Sequence, residues 1–359
     1  MGILKTETGR ETPRFDAENG LIGLRWLLAT SSFRRVQGLS LTSATVDDAP
    51  EIHDLYRRWE RYWNVPLVTP FDEVAEIFAD PHLEPDLDAR MVRHEGRVVA
   101  FGFVSHIPSG NRLERVFLPG KVDPVMRGCG IGRRLLAWQI ERAVEKLRTC
   151  DPELPWYVRL EEWEWVDDAH HLFRRFGFAP ARWFEDMVRP LDTPLDVAVP
   201  PGVETLPWSE STPEETLRVS NASFADHWGS TERTLDSWKH TLSSSSVRLD
   251  LSYVARAAGE LIGICLNYHV PEDTKATGRV DGWIAHLGVL SEWRRRGVAA
   301  ALIAQSTRAF REVGFTHAMI GVDTANPSGA SRLYRKLGFD PLHRSVTYQL
   351  QIHPAGTEG

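Results

Sequence analysis

The chain has 359 residues, of which 42 are lysine or arginine and 49 are aspartate or glutamate, giving a formal net charge of −7. Hydrophobic residues make up 42% and charged residues 25%, which is typical of globular proteins and excludes a disordered chain. The mild acidity excludes a uniformly basic nucleic-acid binder, and the length favours two domains.

Cysteine content and hydropathy narrow the protein class further. Cys129, Cys150 and Cys265 are too few and too scattered for a disulfide framework, and no metal site is predicted. No apolar run approaches the ~20 residues of a membrane-spanning helix, and no signal peptide is recognised. We therefore expect a cytoplasmic protein that binds neither nucleic acid nor a membrane.

The first 37 residues show no clear periodicity and are predicted to form an arm outside the first domain. From residue 38 to residue 192, apolar residues recur with strand or helix spacing. The predicted strands are 39–42, 89–94, 97–105, 115–122, 156–160 and 183–188. The predicted helices run from a cap at Asp47 or Asp48 to about residue 62, and over 131–147 and 168–176.

A second domain is predicted over residues 201–353, after a linker at Pro200-Pro201-Gly202. The predicted elements follow nearly the same order. The strands are 203–206, 251–257, 260–268, 283–290, 317–322 and 346–351, and the helices are 212–224, 231–240, 298–313 and 326–337. Each domain is therefore predicted to be an α+β fold, with a mixed, mostly antiparallel sheet flanked by helices.

Two short motifs occur twice, in the same order and about 165 residues apart. The first motif reads Arg127-Gly128-Cys129-Gly130-Ile131-Gly132 and then Arg294-Arg295-Arg296-Gly297-Val298-Ala299. The second reads Leu172-Phe173-Arg174-Arg175-Phe176-Gly177-Phe178 and then Leu333-Tyr334-Arg335-Lys336-Leu337-Gly338-Phe339. Since chance rarely repeats both, the sequence indicates an internal duplication.

The first motif lies where a predicted strand leads through a glycine-rich turn into a helix. Backbone N–H groups of such a turn, together with the positive end of the helix dipole, can bind a phosphate. A dinucleotide-binding oxidoreductase is a weak alternative, because the preceding elements are hairpins instead of a βαβ unit. The candidate phosphate-binding residues are Arg127, Gly128, Gly130, Ile131, Gly132 and Arg133 in the first repeat and Arg294, Arg295, Arg296, Gly297, Val298, Ala299 and Ala300 in the second.

These motifs resemble the GNAT acyltransferase superfamily, whose signature is Arg/Gln-x-x-Gly-x-Gly/Ala after the fourth strand. Both copies match it, and the segment from Asn326 to Phe339 is similar to the family's later Asn…Leu-Tyr…Gly-Phe mark. Two such domains in one chain are most similar to the mycothiol synthase type of the family. The resemblance implies two tandem GNAT-like domains that use acetyl-CoA as the acyl donor.

The resemblance also implies roles for residues of the second repeat. The backbone N–H of Val289 would stabilise the oxyanion, and pantetheine would bond to the backbone of Leu287, Gly288 and Val289 between splayed strands; Val122 is the counterpart in the first repeat. Tyr334 would be the general acid, and Asn326 would either cap its helix or bind the cofactor. In the first repeat Phe173 replaces the tyrosine, so that domain is expected to be non-catalytic.

The acceptor site and the base are less defined. His286 on the fourth strand and His227 in the loop between two helices are candidates for deprotonating the amine. Asp226, Trp228 and Asp281 are candidates for acceptor binding, although each is also compatible with a structural role. Glu161 and Glu162 in the first repeat could line a pocket for an amine or a sugar, or form a solvated edge.

The resulting expectation is an N-acetyltransferase that acts by direct attack of a small-molecule primary amine on acetyl-CoA, as a monomer or homodimer. Two alternatives stay open: a non-catalytic acyl-CoA-binding protein, and acetylation of a protein amine.

Overall fold

The computed structural model describes residues 14–16, 39–106, 112–326 and 329–354. They form two compact units: the first contains the described residues up to Arg182 together with residues 345–354, and the second contains the described residues between 183 and 344. The described strands form two sheets flanked by helices, with parallel as well as antiparallel pairs, which confirms the predicted fold class. Within the described part of the chain, every helix is too short or too polar to cross a lipid bilayer.

The elements of the first unit begin with short strands and an amphipathic helix. Its strands include β1 (Arg14–Asp16), β2 (Leu41–Ser43), β3 (Ala89–His94), β4 (Arg97–Phe103), β5 (Ser105–His106), β6 (Glu114–Phe117), β7 (Gly120–Val122) and β8 (Trp156–Trp163). Its helices include α1 (Ala49–Trp63), α2 (Phe71–Ala79), α3 (Pro85–Asp88), α4 (Ile131–Leu147) and α5 (Asp167–Arg175).

The second unit follows the same plan, and the chain enters it within one long strand and leaves it within another. Its strands include β9 (Ala179–Pro190), β10 (Val203–Pro207), β11 (Tyr253–Ala257), β12 (Glu260–Tyr268), β13 (Asp281–Val289), β14 (His317–Asp323) and β15 (Asp340–His353). Its helices include α6 (Pro213–Phe224), α7 (Leu235–Leu242), α8 (Asp273–Thr277), α9 (Val298–Glu312) and α10 (Ala330–Lys336).

The predicted strand over residues 115–122 is broken in the structure. Leu118 donates its N–H to the carbonyl of Arg159 at 3.0 Å, but Pro119 has no N–H with which to continue the pairing. The strand therefore divides into β6, which runs parallel to β8, and β7, which pairs with β4. Because β7 leaves β8, an opening forms between them.

The closing strand of each repeat pairs in the other repeat's unit, which differs from the self-contained repeats predicted from the sequence. Residues 184–190 of β9 pair antiparallel with β14 in the second unit. Residues 345–352 of β15 pair antiparallel with β8 in the first unit. Strand periodicity shows that a segment is extended but not which strand it will pair with.

Two further predictions differ in detail. Residues 14–16, inside the predicted arm, form β1 and pair in parallel with residues 351–353 of β15; the rest of that arm lies outside the described residues. The α10 helix begins at Ala330 with Gly329 as its N-cap, four residues after the predicted start at Asn326. Asn326 therefore does not cap this helix.

Candidate active site

The link between β13 and α9 has the backbone of an anion-binding turn. Arg295 and Gly297 have positive φ angles of 60° and 90°, separated by a residue in an ordinary conformation. Such alternation turns successive N–H groups towards one side. The first intrahelical bond of α9 runs from the N–H of Ala301 to the carbonyl of Gly297 at 3.0 Å, so the N–H groups of residues 298–300 point out of the positive helix end.

The first unit contains the same turn between β7 and α4. Gly128 and Gly130 have φ angles of 76° and 78°, and Arg134 donates the first helical N–H to Gly130 at 3.2 Å. A Cβ atom on Gly132 would lie 3.4 Å from Leu172, so the helix packs closely on α5 at this residue. The duplication seen in the sequence is therefore also a duplication of backbone geometry.

The candidate oxyanion donor lies on a stretch of β13 that has lost its neighbour on one side. Leu290 donates to Ile262 of β12 at 3.0 Å, and alternation along an antiparallel pair turns the N–H groups of Val289 and Leu287 away from β12. On the other side, β13 pairs with β14 only up to Ile284. The N–H groups of Val289 and Leu287 therefore face the opening between the diverging strands.

Tyr334 on α10 is 8% exposed and belongs to the same apolar core as Val289 and Cys265. Cys265 pairs across β12 and β13 with Leu287. Burial raises the pKa of the Tyr334 phenol, and the nearby Cys265 thiol acts in the same direction. The phenol is thus protonated at physiological pH.

The two candidate bases lie on either side of one phenylalanine. The Phe224 ring stacks on His286 at 4.3 Å and meets His227 edge-on at 5.8 Å. The Nε2 atom of His286 lies 2.9 Å from the hydroxyl of Ser220. Burial, with help from Arg233 and His227, lowers the pKa of His286 to about 3. A ring with that pKa is a weak base, so its environment favours a structural role.

A β-bulge accompanies His286, because the register of β12 and β13 shifts between the pairs Leu266–His286 and Asn267–Ile284. The bulge leaves His286 on the face of the sheet that α6 covers. A Cβ on Gly288 would lie 3.0 Å from Ser223, so Gly288 lies on the same face. Alternation then places the Val289 side chain on the opposite face from His286.

Arg294 connects the turn to the end of α6. Its guanidinium donates to the carbonyl of Ser223 at 2.8 Å and to the carboxylate of Asp226 at 3.0 Å, while its Nε lies 3.3 Å from the carbonyl of Val289. Asp226 already has a cationic partner in Arg294. That pairing argues against its predicted role as the counter-ion of an acceptor amine.

The remaining predicted residues of this unit are dispersed. Asp281 is buried, with its carboxylate bound by the Arg279 guanidinium at 3.0 Å, and lies eight residues from Val289 along the strand, roughly 27 Å at the usual rise. That distance separates it from the turn, so the structure does not place it at the site. Trp228 is half-buried in the loop after α6, close in sequence to His227.

The first unit contains a cavity of about 520 Å³ that reaches its anion-binding turn. Its walls include the candidate phosphate-binding residues Val122, Arg127, Gly128, Gly130, Ile131, Gly132 and Arg133. Residues 118–122 and 160–162, which diverge after the break at Pro119, form its sides. Phe173, at the position of Tyr334, also lines the cavity and provides no acid.

Sequence reasoning missed part of this cavity. Tyr56 and Trp59 line it from α1, Glu73 lines it from α2, and Lys121 lines it from β7. The two aromatic residues lie in the apolar stripe of an amphipathic helix, a pattern typical of core residues. Helix α2 was not predicted, and a lysine in an exposed strand carries no distinguishing signal.

Family models match both halves of the chain. One described as "Acetyltransferase (GNAT) family" matches residues 214–339, and one described as "Acetyltransferase (GNAT) domain" matches residues 88–180. No curated protein matches the chain.

Solved structures of similar fold include three of interest. A GCN5-related N-acetyltransferase from Sphaerobacter thermophilus has a TM-score of 0.69 and 23% identity, over 89% of this chain and 98% of that one. A tandem GNAT protein from the clavulanic acid biosynthesis pathway has a TM-score of 0.64 and 16% identity, over 89% of this chain and 100% of that one. An N-myristoyltransferase from Saccharomyces cerevisiae has a TM-score of 0.61 and 13% identity, over 91% of this chain and 81% of that one. At these identities the likeness concerns the fold.

Proposed function

Since the chain belongs to the GNAT superfamily, as a tandem of two such domains and an acyl-CoA-dependent N-acyltransferase, we propose that it transfers acetyl from acetyl-CoA to a primary amine of a small molecule. We place this reaction at the C-terminal domain. The observation that carries this assignment is Tyr334, a largely buried tyrosine that keeps its proton and belongs to the same apolar core as Val289 on the strand that faces the opening.

The residues of this domain fit an acyl-CoA donor. The turn at residues 294–300 provides cationic side chains and outward N–H groups for phosphate, and the Val289 and Leu287 N–H groups face the opening where pantetheine would lie. Acetyl-CoA supplies the activated acyl thioester. The fit does not select acetyl over longer acyl chains, and the acetyl group is the donor most typical of the family that the sequence resembles.

Each chemical requirement of direct aminolysis has a candidate side chain or backbone group. The N–H of Val289 would stabilise negative charge developing on the carbonyl oxygen. Tyr334 would protonate the departing sulfur, since its phenol keeps its proton at neutral pH. His227, half-buried in the loop after α6, is the candidate to receive the proton of the amine, and Trp228 beside it offers an apolar contact for the acceptor.

Replacement of the tyrosine hydroxyl tests this assignment. Tyr334→Phe should lower kcat more than tenfold and leave the Kd of acetyl-CoA almost unchanged, because the hydroxyl acts on the departing thiolate. Thiol release from acetyl-CoA is measured against a panel of amino sugars, aminoglycosides and cysteine-containing amines. Binding is measured by calorimetry.

Tyr253→Phe is the matched control, because Tyr253 is a half-buried tyrosine of β11 in the same unit and has no place in the proposed site. It should keep wild-type turnover. Full activity of Tyr334→Phe would show that the acid is wrongly assigned. Acetyl-CoA binding without turnover of any amine would favour the non-catalytic alternative, and turnover of peptide amines alone would favour a protein acceptor.

A further inference from the structure

Three side chains that can each bind a metal ion converge beside the edge strand β5 of the first unit. His106 is the last residue of β5, Glu114 is the first residue of β6, and Cys150 follows the end of α4. One imidazole nitrogen, one carboxylate oxygen and one thiol sulfur lie within 4.8 Å of one another. Because the three residues are widely spaced in the chain, the sequence did not predict a metal site.

The pairing of β5 with β6 places His106 and Glu114 on one face of the sheet. His106 lies directly opposite Val116, and Glu114 lies two residues before Val116 on the same strand. Since side chains alternate along a strand, these three share a face. Their exposure agrees, at 0% for Val116, 1% for Glu114 and 6% for His106, whereas Arg115 between them is only half-buried.

The end of α4 brings the thiol to this face. The N–H of Cys150 donates to the carbonyl of Leu147 at 2.9 Å, so the chain makes one more turn after the helix. The Cys150 Sγ atom lies 3.6 Å from the carbonyl of Lys146 and 3.8 Å from His106 Nε2. The anion-binding turn is at the other end of this 17-residue helix, about 25 Å away at the usual rise. The cluster is therefore separate from the acyl-CoA site.

The three ligand atoms are arranged around one point. Glu114 Oε2 lies 3.0 Å from His106 Nε2, and Cys150 Sγ approaches that same nitrogen. In a catalytic Cys–His–acid relay, the thiol and the carboxylate would bind opposite nitrogens of the ring. Ligands of a tetrahedral Zn²⁺ lie roughly 3.3–3.8 Å from one another, so both distances to Nε2 are within about half an ångström of a coordinated arrangement. Rotation of the Cys150 side chain brings sulfur closer to the carboxylate.

The charges of the cluster suit a divalent cation. A metal ion displaces the proton of a coordinating thiol, so Cys150 and Glu114 then contribute two negative charges and His106 none. Lys146 lies one turn before Cys150, but its Nζ is 2.7 Å from the carboxylate of Asp88, which balances its charge. A bound M²⁺ thus forms a neutral site with the three ligands, and burial penalises a neutral site less than a charged one.

We propose that His106, Glu114 and Cys150 bind one zinc-class transition-metal ion, with water as the fourth ligand. A nitrogen, oxygen and sulfur donor set suits Zn²⁺, whereas Mg²⁺ and Ca²⁺ take oxygen ligands. Cys150 is half-buried, so water can reach the remaining position. The ion links β5, which has only two residues, to β6 and to the end of α4, and thereby stabilises the first unit. This role is independent of the proposed acyl transfer.

The experiment uses the untagged full chain, stripped of metal with a chelator and kept reduced with a phosphine, because added thiols bind metals. CoCl₂ is titrated while absorbance is recorded, and ZnCl₂ is then added. We expect one equivalent of Co²⁺ to bind, with thiolate-to-cobalt charge-transfer absorption and the intense visible bands of tetrahedral Co²⁺. ZnCl₂ should remove both signals, since Zn²⁺ binds such sites more tightly than Co²⁺.

Cys150→Ser should abolish the charge-transfer absorption and weaken Co²⁺ binding more than tenfold, and His106→Gln and Glu114→Gln should each weaken it by a similar factor. Cys129→Ser is the matched control, because Cys129 is also a half-buried free cysteine but lies at the other end of α4. It should keep the wild-type spectrum. ZnCl₂ should raise the thermal midpoint of unfolding of wild type and Cys129→Ser, and leave that of Cys150→Ser unchanged.

Failure of the wild type to bind Co²⁺ or Zn²⁺ would overturn the proposal and leave His106, Glu114 and Cys150 as a hydrogen-bonded cluster. Charge-transfer absorption that survives Cys150→Ser, or Co²⁺ binding without that absorption, would assign the metal to other ligands and overturn it as well. Serine is nearly isosteric with cysteine, and circular dichroism checks that Cys150→Ser folds. If His106→Gln or Glu114→Gln did not fold, the wild-type titration and Cys150→Ser would still decide the outcome.

Discussion

The arginine that opens each turn has different partners in the two units. Arg127 forms an ion pair with Asp168 at the start of α5 and a hydrogen bond with the hydroxyl of Tyr62. Arg294 binds Asp226 and the carbonyl of Ser223 at the end of α6. The sequence predicted the positions of both arginines, but their partners lie far away in the chain and become neighbours only through folding. Thus Asp226, a predicted acceptor ligand, is bound to the turn instead.

His286 gives a prediction about stability as the pH changes. Its pKa is about 3 in the folded protein and about 6.5 when exposed, so between these values the unfolded chain binds a proton that the folded chain does not. Stability is therefore lost as the pH falls below 6.5, by about 1.4 kcal/mol per pH unit. Urea unfolding at pH 7.5 and 5.5 should show a larger loss for wild type than for His286→Gln.

His171→Gln, at an exposed histidine of α5, serves as the control and should keep the wild-type pH dependence. Equal losses in wild type and His286→Gln would contradict the description of His286 as a buried neutral ring. In that case His286 would return as a candidate base.

At the level of elements, local pattern predicted most helices and strands but not their pairing. The turn at Glu95 and Gly96 follows directly from hairpin chemistry, since both residues have positive φ angles. The break at Pro119 also has a local cause, although we predicted a continuous strand there. No local sequence pattern predicts which strands β9 and β15 pair with, because several strands with the same alternation could pair with either segment.

Because β15 pairs with β8, a substitution in β15 should destabilise residues of the first unit that are far away in the sequence. Tyr348 is 1% exposed and contacts His170 at 5.5 Å and Phe173 at 5.4 Å in the first unit. Tyr348→Ala should cost about 3–5 kcal/mol, as expected for truncating a large buried aromatic side chain. Hydrogen exchange should become faster in peptides covering residues 156–175.

Tyr253→Ala on β11 is the matched truncation in the second unit. It should affect peptides covering residues 253–268 and leave residues 156–175 protected. If Tyr348→Ala instead loosened residues 253–268 alone, β15 would belong to the second unit, as the sequence first suggested.

Considered as a whole, the two units keep the same turn but differ on the acceptor side. In the first unit Trp59 lies over Lys121, whereas in the second Ser223 packs on Gly288. Two repeated motifs were enough to predict the family and the turns, because turn chemistry is local. They could not predict the cavity, because Tyr56 is part of an ordinary apolar helix stripe and reaches the cavity only through folding.

Two equivalent turns in one chain predict two acyl-CoA molecules per chain. Calorimetric titration of acetyl-CoA into wild type should give two sites, and Gly130→Glu and Gly297→Glu should each remove one, because each places a carboxylate where phosphate binds. Both glycines have positive φ angles, so Gly96→Glu and Gly259→Glu, in hairpins with similar angles and open space, control for backbone strain.

The number of acetyl-CoA molecules bound per chain, and the variant that removes each site, show which unit binds the donor. A single site that disappears only with Gly297→Glu would make the first unit a scaffold. A single site that disappears only with Gly130→Glu would move catalysis to the first unit, where Phe173 replaces the tyrosine. Absence of binding would exclude acetyl-CoA as the donor. Longer acyl-CoA thioesters would then be titrated, since the diverging strands alone do not limit the length of the acyl chain.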